Sequence, residues 1–356
     1  MSDKVLFITD THLGARGGSK VFRELFRLYY KEELFPFIKE NNIKTIIHAG
    51  DFFDNRNSLS LNDIDFVINE FIPLLEDSGA TMHVIAGNHD IAYKNTNKIN
   101  SLSILKTSDN IRVIDNGIEV VETEGKKFVL CPWLNRENSD LLLEDLKYYA
   151  DDDHILVGHF EIEGAKMYKS SKIAESGLKP SQLKNFHKVL SGHFHHRNIL
   201  GNIEYIGALF HYNWQDHNDW RGFQVYDPDT NYFELHENEY CLFTKLDFHV
   251  DEVCEMSKED LKDLCENQFV RIVINDEYNK VDLKEVVSKI EKFNPISVDV
   301  IDNTVIPNEV NTNEIEVSDT KEIEDYVSDY VNEDESILEL FSEVKSEAEL
   351  ELKEFG

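Results

Sequence analysis

The chain has 356 residues, with 36 lysines and arginines against 69 aspartates and glutamates, giving a formal net charge of −33. This length exceeds the range in which one hydrophobic core keeps growing, so more than one domain is expected. A content of 41% hydrophobic residues excludes a chain that is disordered throughout, and an even spread of −33 would exclude an unassisted nucleic-acid binder.

The charge is unevenly distributed. Residues 301–356 carry 18 acids and three lysines, a net of −15, whereas residues 161–200 carry seven bases and three acids, a net of +4. A second basic stripe at Lys20, Arg23, Arg27 and Lys31 has helical spacing. Such runs usually form a solvated face. The alternative is a phosphate-binding surface.

The sequence predicts a protein that does not enter a membrane. It has no apolar run of the roughly 20 residues that a transmembrane helix needs. The amino terminus has no signal-peptide pattern, and the four cysteines show no CxxC spacing. We therefore expect reduced thiols and a cytoplasmic location.

In the first 240 residues, short apolar runs alternate with helical patterns, which favours an α/β layered fold. The predicted helices span 20–34, 60–76 and 139–149. The predicted strands span 5–8, 45–49, 83–87, 111–114, 128–131, 154–158, 188–192, 203–207 and 223–226.

The remaining residues predict three further segments. Residues 241–302 form a small α/β domain, because a strand–helix–strand pattern covers 269–301. Residues 303–320 show no helical or strand periodicity of apolar residues, which is typical of a linker. Residues 321–356 predict a tail of two amphipathic helices.

Polar residues of one chemical kind follow five of the predicted strands. The segments are Asp10-Thr11-His12, Gly50-Asp51-Phe52-Phe53-Asp54, Gly87-Asn88-His89-Asp90, Gly158-His159 and Gly192-His193-Phe194-His195. Functional groups of open α/β sheets collect at the carboxyl ends of strands. Each segment alone has a common structural explanation, such as a cap or a buried histidine. Together, behind five apolar runs, they predict a metal site.

This order of motifs resembles that of the calcineurin-like metallophosphoesterases. Within that superfamily, GDFFD together with GNHD resembles the SbcD-type DNA repair nuclease subunit, in its bacteriophage recombination branch. The resemblance implies a two-sheet β sandwich flanked by helices, with a small α/β capping domain and a C-terminal helical tail. The motifs cover residues 8–196, and the match beyond residue 240 is architectural.

The resemblance also implies two divalent metal ions that share Asp51. One ion would be held by Asp10, His12, Asp51 and His195, and the other by Asp51, Asn88, His159 and His193. A pair of ions about 3.5–4 Å apart activates water and clamps a phosphodiester. The mixed imidazole and carboxylate set favours Mn²⁺, with Mg²⁺ as the alternative.

Three residues beside these ligands are predicted to be catalytic. His89 is not needed as a ligand, so we expect it to protonate the leaving oxygen or stabilise transition-state charge. Asp90 would orient His89 or serve as a helix cap. Asp54 would act in catalysis or buttress its loop by hydrogen bonds.

The first functional hypothesis is an Mn²⁺-dependent DNA exonuclease and endonuclease subunit that acts in double-strand-break processing and recombination. Phosphate contacts are predicted at the basic stripes. The predicted DNA-binding residues are Arg23, Arg27, Lys166, Lys169, Lys172 and Arg197. The alternatives are a phosphomonoesterase or cyclic-nucleotide phosphodiesterase, and a non-catalytic adaptor that recruits an ATPase. Phosphoprotein phosphatases of this superfamily tend to carry Arg-Gly after GDxxD, whereas Asn55-Arg56 stands in this chain.

The predicted partners are DNA and protein. The resemblance implies that the C-terminal helices bind an SbcC-type, SMC-like ATPase, and packing back on their own chain is the alternative. Double- and single-stranded DNA are the expected substrates. Residues 60–76 are more apolar than a surface helix needs, which favours a homodimer or simple burial in the core. If the chain is phage-encoded, its location is the host cytoplasm.

Overall fold

The computed structural model describes residues 3–123, 125–169, 172–247, 256–276 and 280–304. Residues 1–301 belong to one structural unit. The two predicted tail helices, and the linker after residue 304, lie outside the described residues. In the part of the chain that is described, no helix has the length and apolar character to cross a membrane.

Strands and helices alternate along much of the described chain. The strands, in chain order, are β1 Val5–Ile8, β2 Thr45–His48, β3 Thr81–Ile85, β4 Ile91–Tyr93, β5 Thr96–Asn100, β6 Ile111–Ile114, β7 Glu119–Thr123, β8 Lys126–Cys131, β9 His154–His159, β10 Lys188–Gly192, β11 Asn198–Leu200, β12 Ile203–Tyr205, β13 Gly222–Asp227, β14 Tyr232–Glu237, β15 Phe243–Asp247, β16 Phe269–Ile274 and β17 Ser297–Asp302. The α-helices are α1 Lys20–Tyr29, α2 Phe35–Glu40, α3 Leu61–Phe66, α4 Ile72–Ser78, α5 Ser139–Tyr149, α6 Lys258–Cys265 and α7 Lys280–Glu291.

Two six-stranded sheets form the centre of the fold. The first has the order β14-β13-β1-β2-β3-β6 and the second the order β11-β12-β10-β9-β8-β7. Strands β1, β2, β3 and β6 are parallel, as are β8, β9, β10 and β12. The carboxyl ends of β1, β2 and β3 therefore share one edge of the first sheet, and those of β9 and β10 share one edge of the second.

The two sheets face each other across an apolar layer. Phe7 and Ile47 of the first sheet pack with Phe128 and Val157 of the second, and all four are fully buried. The outer face of each sheet is covered by helices, with α1, α3 and α4 on the first sheet and α5 on the second. This arrangement confirms the predicted two-sheet sandwich flanked by helices.

Both long predicted helices contain a wider π turn before a proline. Tyr30–Leu34 separates α1 from α2, and Val67–Phe71 separates α3 from α4. The N–H of Phe35 bonds to the carbonyl of Tyr30, five residues back, and the N–H of Ile72 bonds likewise to that of Val67. Each bond immediately precedes Pro36 or Pro73. Since proline lacks the N–H that an α-helix interior requires, the ladder widens by one residue there.

A smaller sheet of order β15-β16-β17 carries its own core. Val270 and Ile272 of β16 pack with Val286 and Ile290 of α7, and all four are buried. The predicted strand–helix–strand pattern over 269–301 is present, and α6 and β15 extend it toward the amino terminus. The boundary at residue 241 stays a prediction.

Candidate metal centre

The seven predicted ligands lie together where five strands end. Asp10 and His12 follow β1, Asp51 follows β2, and Asn88 follows β3. His159 is the last residue of β9, and His193 and His195 follow β10. Since β1, β2 and β3 belong to one sheet and β9 and β10 to the other, the site bridges the edges of the two sheets.

The first donor set contains Asp10, His12, His195 and Asp51. The Nε2 atoms of His12 and His195 are 3.0 Å apart, and each is 3.8 Å from Oδ1 of Asp10. Nε2 of His12 is also 4.0 Å from Oδ2 of Asp51. Two imidazole nitrogens this close need a proton or a cation between their lone pairs, so this group fits a metal ion.

The second donor set contains Asp51, His159, Asn88 and His193. Nε2 of His159 lies 3.2 Å from Oδ2 of Asp51 and 3.1 Å from Oδ1 of Asn88. Nδ1 of His193 lies 2.8 Å from the same Asn88 oxygen. Nδ1 of His159 donates to the carbonyl of Ala49 at 2.8 Å, which fixes the tautomer and directs Nε2 toward the carboxylate.

Asp51 is the residue shared by both sets. It is 2% exposed, and Asp10 and His159 are fully buried. Burial lowers the pKa of His159, but the carboxylates of Asp51 and Asp10 and the carbonyl of Ala49 together outweigh this effect and raise the pKa to about 9. Burial raises the pKa of Asp51, but the imidazoles of His159, His12 and His89 together lower it by more, so the net shift is downward. This buried carboxylate attracts positive charge, which a metal ion can supply in place of protons.

The backbone around the ligands adopts a conformation that residues with side chains rarely use. The φ angles are 49° at Asp10, 42° at His12, 54° at Asp51 and 90° at His193. Left-handed φ in non-glycine residues clusters at functional sites, where the surrounding structure over-determines it. Four of the ten non-glycine residues with positive φ in the described part of the chain are thus predicted ligands, and no sequence pattern indicates this conformation.

Two motif glycines allow the ligand loops to approach closely. A Cβ at Gly87 would overlap both the Oδ1 and the backbone nitrogen of Asp51. A Cβ at Gly192 would overlap Oγ1 of Thr9 and lie 2.7 Å from Nδ1 of His159. Glycine has no Cβ, so the backbone of both ligand loops can approach the site this closely.

His89 sits beside the shared carboxylate without joining either donor set. Its backbone N–H donates to Oδ1 of Asp51 at 2.7 Å, and its ring lies edge-on to that of His12 with centroids 4.9 Å apart. Nδ1 of His89 lies 2.7 Å from the carbonyl oxygen of Asp54. Because a carbonyl only accepts, Nδ1 carries the proton and Nε2 is the nitrogen left for chemistry.

Asp54 contacts two of the site histidines. Its carbonyl holds His89, and its Oδ1 lies 3.3 Å from Nδ1 of His12. A carboxylate on the distal nitrogen of a metal-binding histidine orients the ring and raises its basicity. These contacts favour the buttressing alternative for Asp54.

Asp90 connects two of the ligand loops. Its fully buried carboxylate accepts from the N–H groups of Phe52 at 3.3 Å, Phe53 at 3.0 Å and Gly87 at 2.9 Å. Burial and the nearby Asp51 raise its pKa, and two of these N–H donors, those of Phe53 and Gly87, oppose that shift. The contacts favour a structural role, but as a clamp between loops and not as the helix cap that was the sequence alternative.

Comparison with known proteins agrees with this geometry. The sequence profile described as Calcineurin-like phosphoesterase matches residues 3–197, more than half of the chain. The chain belongs to the calcineurin-like phosphoesterase family. The predicted superfamily is thus confirmed, and this protein is a phosphoester hydrolase by family.

Three relatives carry names that are informative. The chain is 31% identical to exonuclease subunit 1 of Enterobacteria phage T4, over 92% of each chain. It is 23% identical to the D subunit of the nuclease SbcCD of Staphylococcus epidermidis, over 64% of this chain and 67% of that protein. It is 28% identical to DNA double-strand break repair protein Mre11 of Sulfurisphaera tokodaii, over 55% of this chain and 50% of that protein.

The sequence did not identify two aromatic residues of this phosphoesterase site. The hydroxyl of Tyr212 donates to the carbonyl of Asp10 at 2.7 Å, and its ring lies against those of His12 and His195. The ring of Trp133 lies 5.2 Å from that of His193. Both pack against the ligands, and neither belongs to one of the five motifs.

The predicted DNA-binding arginines all contact acceptors of the protein. Arg27 binds Glu70 through two nitrogens and Glu24 through a third. Arg23 donates to the carbonyl of Gly18 at 2.7 Å, and Arg197 donates to Glu204 at 2.6 Å. These bonds favour structural roles and reduce the charge available for phosphate, while DNA contact by the arginines stays a prediction.

The predicted DNA-binding lysines are more available. Lys166, Lys169 and Lys172 are exposed. Nζ of Lys169 donates to the backbone carbonyl of Asn218, which is an uncharged acceptor and does not neutralise the lysine. The loop that carries them is therefore the better expectation for phosphate contact.

Proposed function

We propose that this phosphoesterase is an Mn²⁺-dependent DNA exonuclease and endonuclease subunit of an SbcC/SbcD-type complex, acting in double-strand-break processing and recombination. Its proposed location is the cytoplasm, which is that of the host cell if the chain is phage-encoded. The observation that carries the proposal is the pair of donor sets that meet at Asp51, with His89 beside them. The names of the three relatives support DNA as the substrate.

In this proposal two divalent ions are held as the sequence predicts. Asp10, His12 and His195 would hold one, Asn88, His159 and His193 the other, and Asp51 both. When bound, such a pair supplies an activated water and Lewis-acid neutralisation of the phosphodiester. The imidazole-rich donors favour Mn²⁺ over Mg²⁺.

The protein's own groups position the ligand histidines and supply a proton to the leaving oxygen. The carbonyl of Ala49 fixes the ring of His159 through Nδ1, so that its Nε2 faces the second set. The Asp54 carboxylate lies 3.3 Å from Nδ1 of His12, on the side of the ring away from the first set. His89 is fixed through Nδ1 by Asp54 and through its backbone by Asp51. A protonated His89 would deliver the Nε2 proton to the leaving oxygen or stabilise charge on the phosphate.

The enzyme and adaptor alternatives have distinct signatures. A phosphomonoesterase or cyclic-nucleotide phosphodiesterase would use the same site on small esters. A non-catalytic adaptor would not require His89 next to the shared ligand, so its placement favours catalysis. The small three-stranded sheet is also more than a small-molecule esterase needs.

The first prediction separates these alternatives by substrate. With Mn²⁺, we expect the protein to cleave linear duplex and single-stranded DNA and to hydrolyse p-nitrophenyl phosphate at a far lower rate. Excess chelator should abolish cleavage, and Mg²⁺ should restore less of it than Mn²⁺. Gel analysis of end-labelled DNA measures the first reaction and absorbance the second. Hydrolysis of the small ester alone would refute the nuclease proposal.

The second prediction concerns the ATPase partner. Residues 318–356 carry the two predicted amphipathic helices, which are too short to be stable alone and require a docking surface. We expect deletion of these residues to abolish copurification with a coexpressed SbcC-type ATPase while metal-dependent cleavage of single-stranded DNA is retained. A truncated protein that still copurifies would contradict the assignment.

We also propose a homodimer, for which the helical face at 60–76 is the candidate interface. Phe66, Val67 and Phe71 are buried in the core, whereas Leu61 is 84% and Ile68 43% exposed. Most of the apolar character is thus explained by burial within the chain. Light scattering of the full chain would test for a dimer, and a monomeric mass would refute it.

A further inference from the structure

A cavity of about 450 Å³ opens directly against two of the proposed metal ligands. It is lined by His193 and His195, by Met167 and Tyr168, and by residues 213–216, which include Trp214. Ligand sites usually have volumes of about 300–1,000 Å³ and combine aromatic walls with a few polar groups. A nucleoside attached to a phosphate on the histidines would enter this cavity.

Trp214 is fixed in place by the small sheet. The guanidinium carbon of Arg271 lies 4.0 Å from the centroid of the indole, over its ring. The ring of Phe243 lies edge-on to it with centroids 5.1 Å apart. Through these two contacts, β15 and β16 hold the indole in place. The indole is half-buried and lines the cavity.

The loop that carries Trp214 is held by a buried ion network. Arg221 is 1% exposed and donates to Asp216 at 2.6 Å and to Asp219 at 2.8 Å. The other Asp216 oxygen accepts from the backbone N–H groups of Tyr212 at 2.7 Å and Asn213 at 3.1 Å. Because these charges are paired and hydrogen-bonded, the loop presents Trp214 in a fixed position.

We propose that Trp214 is a nucleobase-stacking residue that selects an unpaired nucleotide at the cleavage site. Every base has a π face, so a fixed aromatic wall binds bases with little sequence preference. A base paired within a duplex has both faces stacked and cannot occupy the cavity. The inference rests on the proposed nuclease function and adds to it a preference for single-stranded or frayed ends.

The test compares two oligomers with identical phosphodiester chains. One is a thymidine oligonucleotide and the other carries abasic tetrahydrofuran residues throughout. We expect Trp214→Ala to reduce cleavage of the thymidine oligomer about 5- to 150-fold more than cleavage of the abasic oligomer, the range for loss of one base–aromatic stack. Trp214→Phe, which keeps a ring, should recover most of the difference.

Tyr148→Ala serves as the matched control, since this tyrosine is 86% exposed on α5 and contributes no wall to the cavity. It should cleave both oligomers like the wild type. Equal losses on the two oligomers in Trp214→Ala would show a structural role only and would overturn the proposal. Equal cleavage of both oligomers by the wild type would also overturn it. Failure of the wild type to cleave either oligomer would instead refute the nuclease function on which the inference rests.

Discussion

Replacing Asp51 by asparagine should lower DNA cleavage by about three orders of magnitude, equivalent to about 4 kcal/mol of transition-state stabilisation. Asparagine keeps the size of the side chain but removes the charge that both donor sets share. The carboxylate lies 3.2 Å from Nε2 of His159 and 4.0 Å from that of His12, so its loss weakens both proposed sites at once. Two-metal hydrolysis requires both ions.

Calorimetric titration with Mn²⁺ provides the second measurement for Asp51→Asn. We expect two binding events in the wild type and a loss of affinity at both in the variant. Asp77→Asn removes the same charge from an exposed ion pair with Lys39 and should leave binding and cleavage unchanged. If Asp51→Asn retained two tight sites, the bridging assignment would be wrong.

Replacing His89 by glutamine should lower DNA cleavage about 100- to 10,000-fold while Mn²⁺ binding is retained, because a proton donor is removed without a ligand. The substrate separates the two roles considered for this residue. With bis(p-nitrophenyl) phosphate the leaving group needs no proton, so a proton donor becomes dispensable and the defect should shrink. A defect of equal size on both substrates would indicate stabilisation of charge on the phosphate.

The control for His89→Gln is His83→Gln. His83 is a partly buried histidine on β3, outside both donor sets. Burial lowers its pKa, so it is neutral near pH 7 and its replacement should leave the cleavage rate unchanged. Loss of Mn²⁺ binding in His89→Gln would contradict a role outside the ligand sets.

The strands of the sandwich interior were predictable because they are continuous apolar runs. All nine predicted strands are present, although their ends differ by up to two residues. The strands that were missed include β7, β11 and β14, at the edges of the two sheets. β7 and β14 are partly exposed and rich in charged or polar residues, as in the Tyr232–Glu237 sequence YFELHE, and β11 is only three residues long, so none gives a clear apolar signal.

The membership of the site was predictable, and its supporting structure was not. The position of five polar motifs behind apolar strands was enough to predict that they meet, and the resemblance supplied the division into two ligand sets. The left-handed backbone at four ligands depends on neighbours far along the chain. The contacts of Asp90 with Phe52 and Phe53 also join residues that are distant in sequence. Local patterns carry no information about such contacts.

The contacts of Asp90 have a consequence for redesign of this enzyme. The Asp90 carboxylate joins the loop after β2 to the loop after β3. The positions of the proposed bridging ligand Asp51 and the proposed acid His89 therefore depend on the same hydrogen bonds. A substitution in either loop is expected to disturb the other. Variant libraries that aim to change substrate or metal preference therefore have to vary residues 51–54 and 87–90 together.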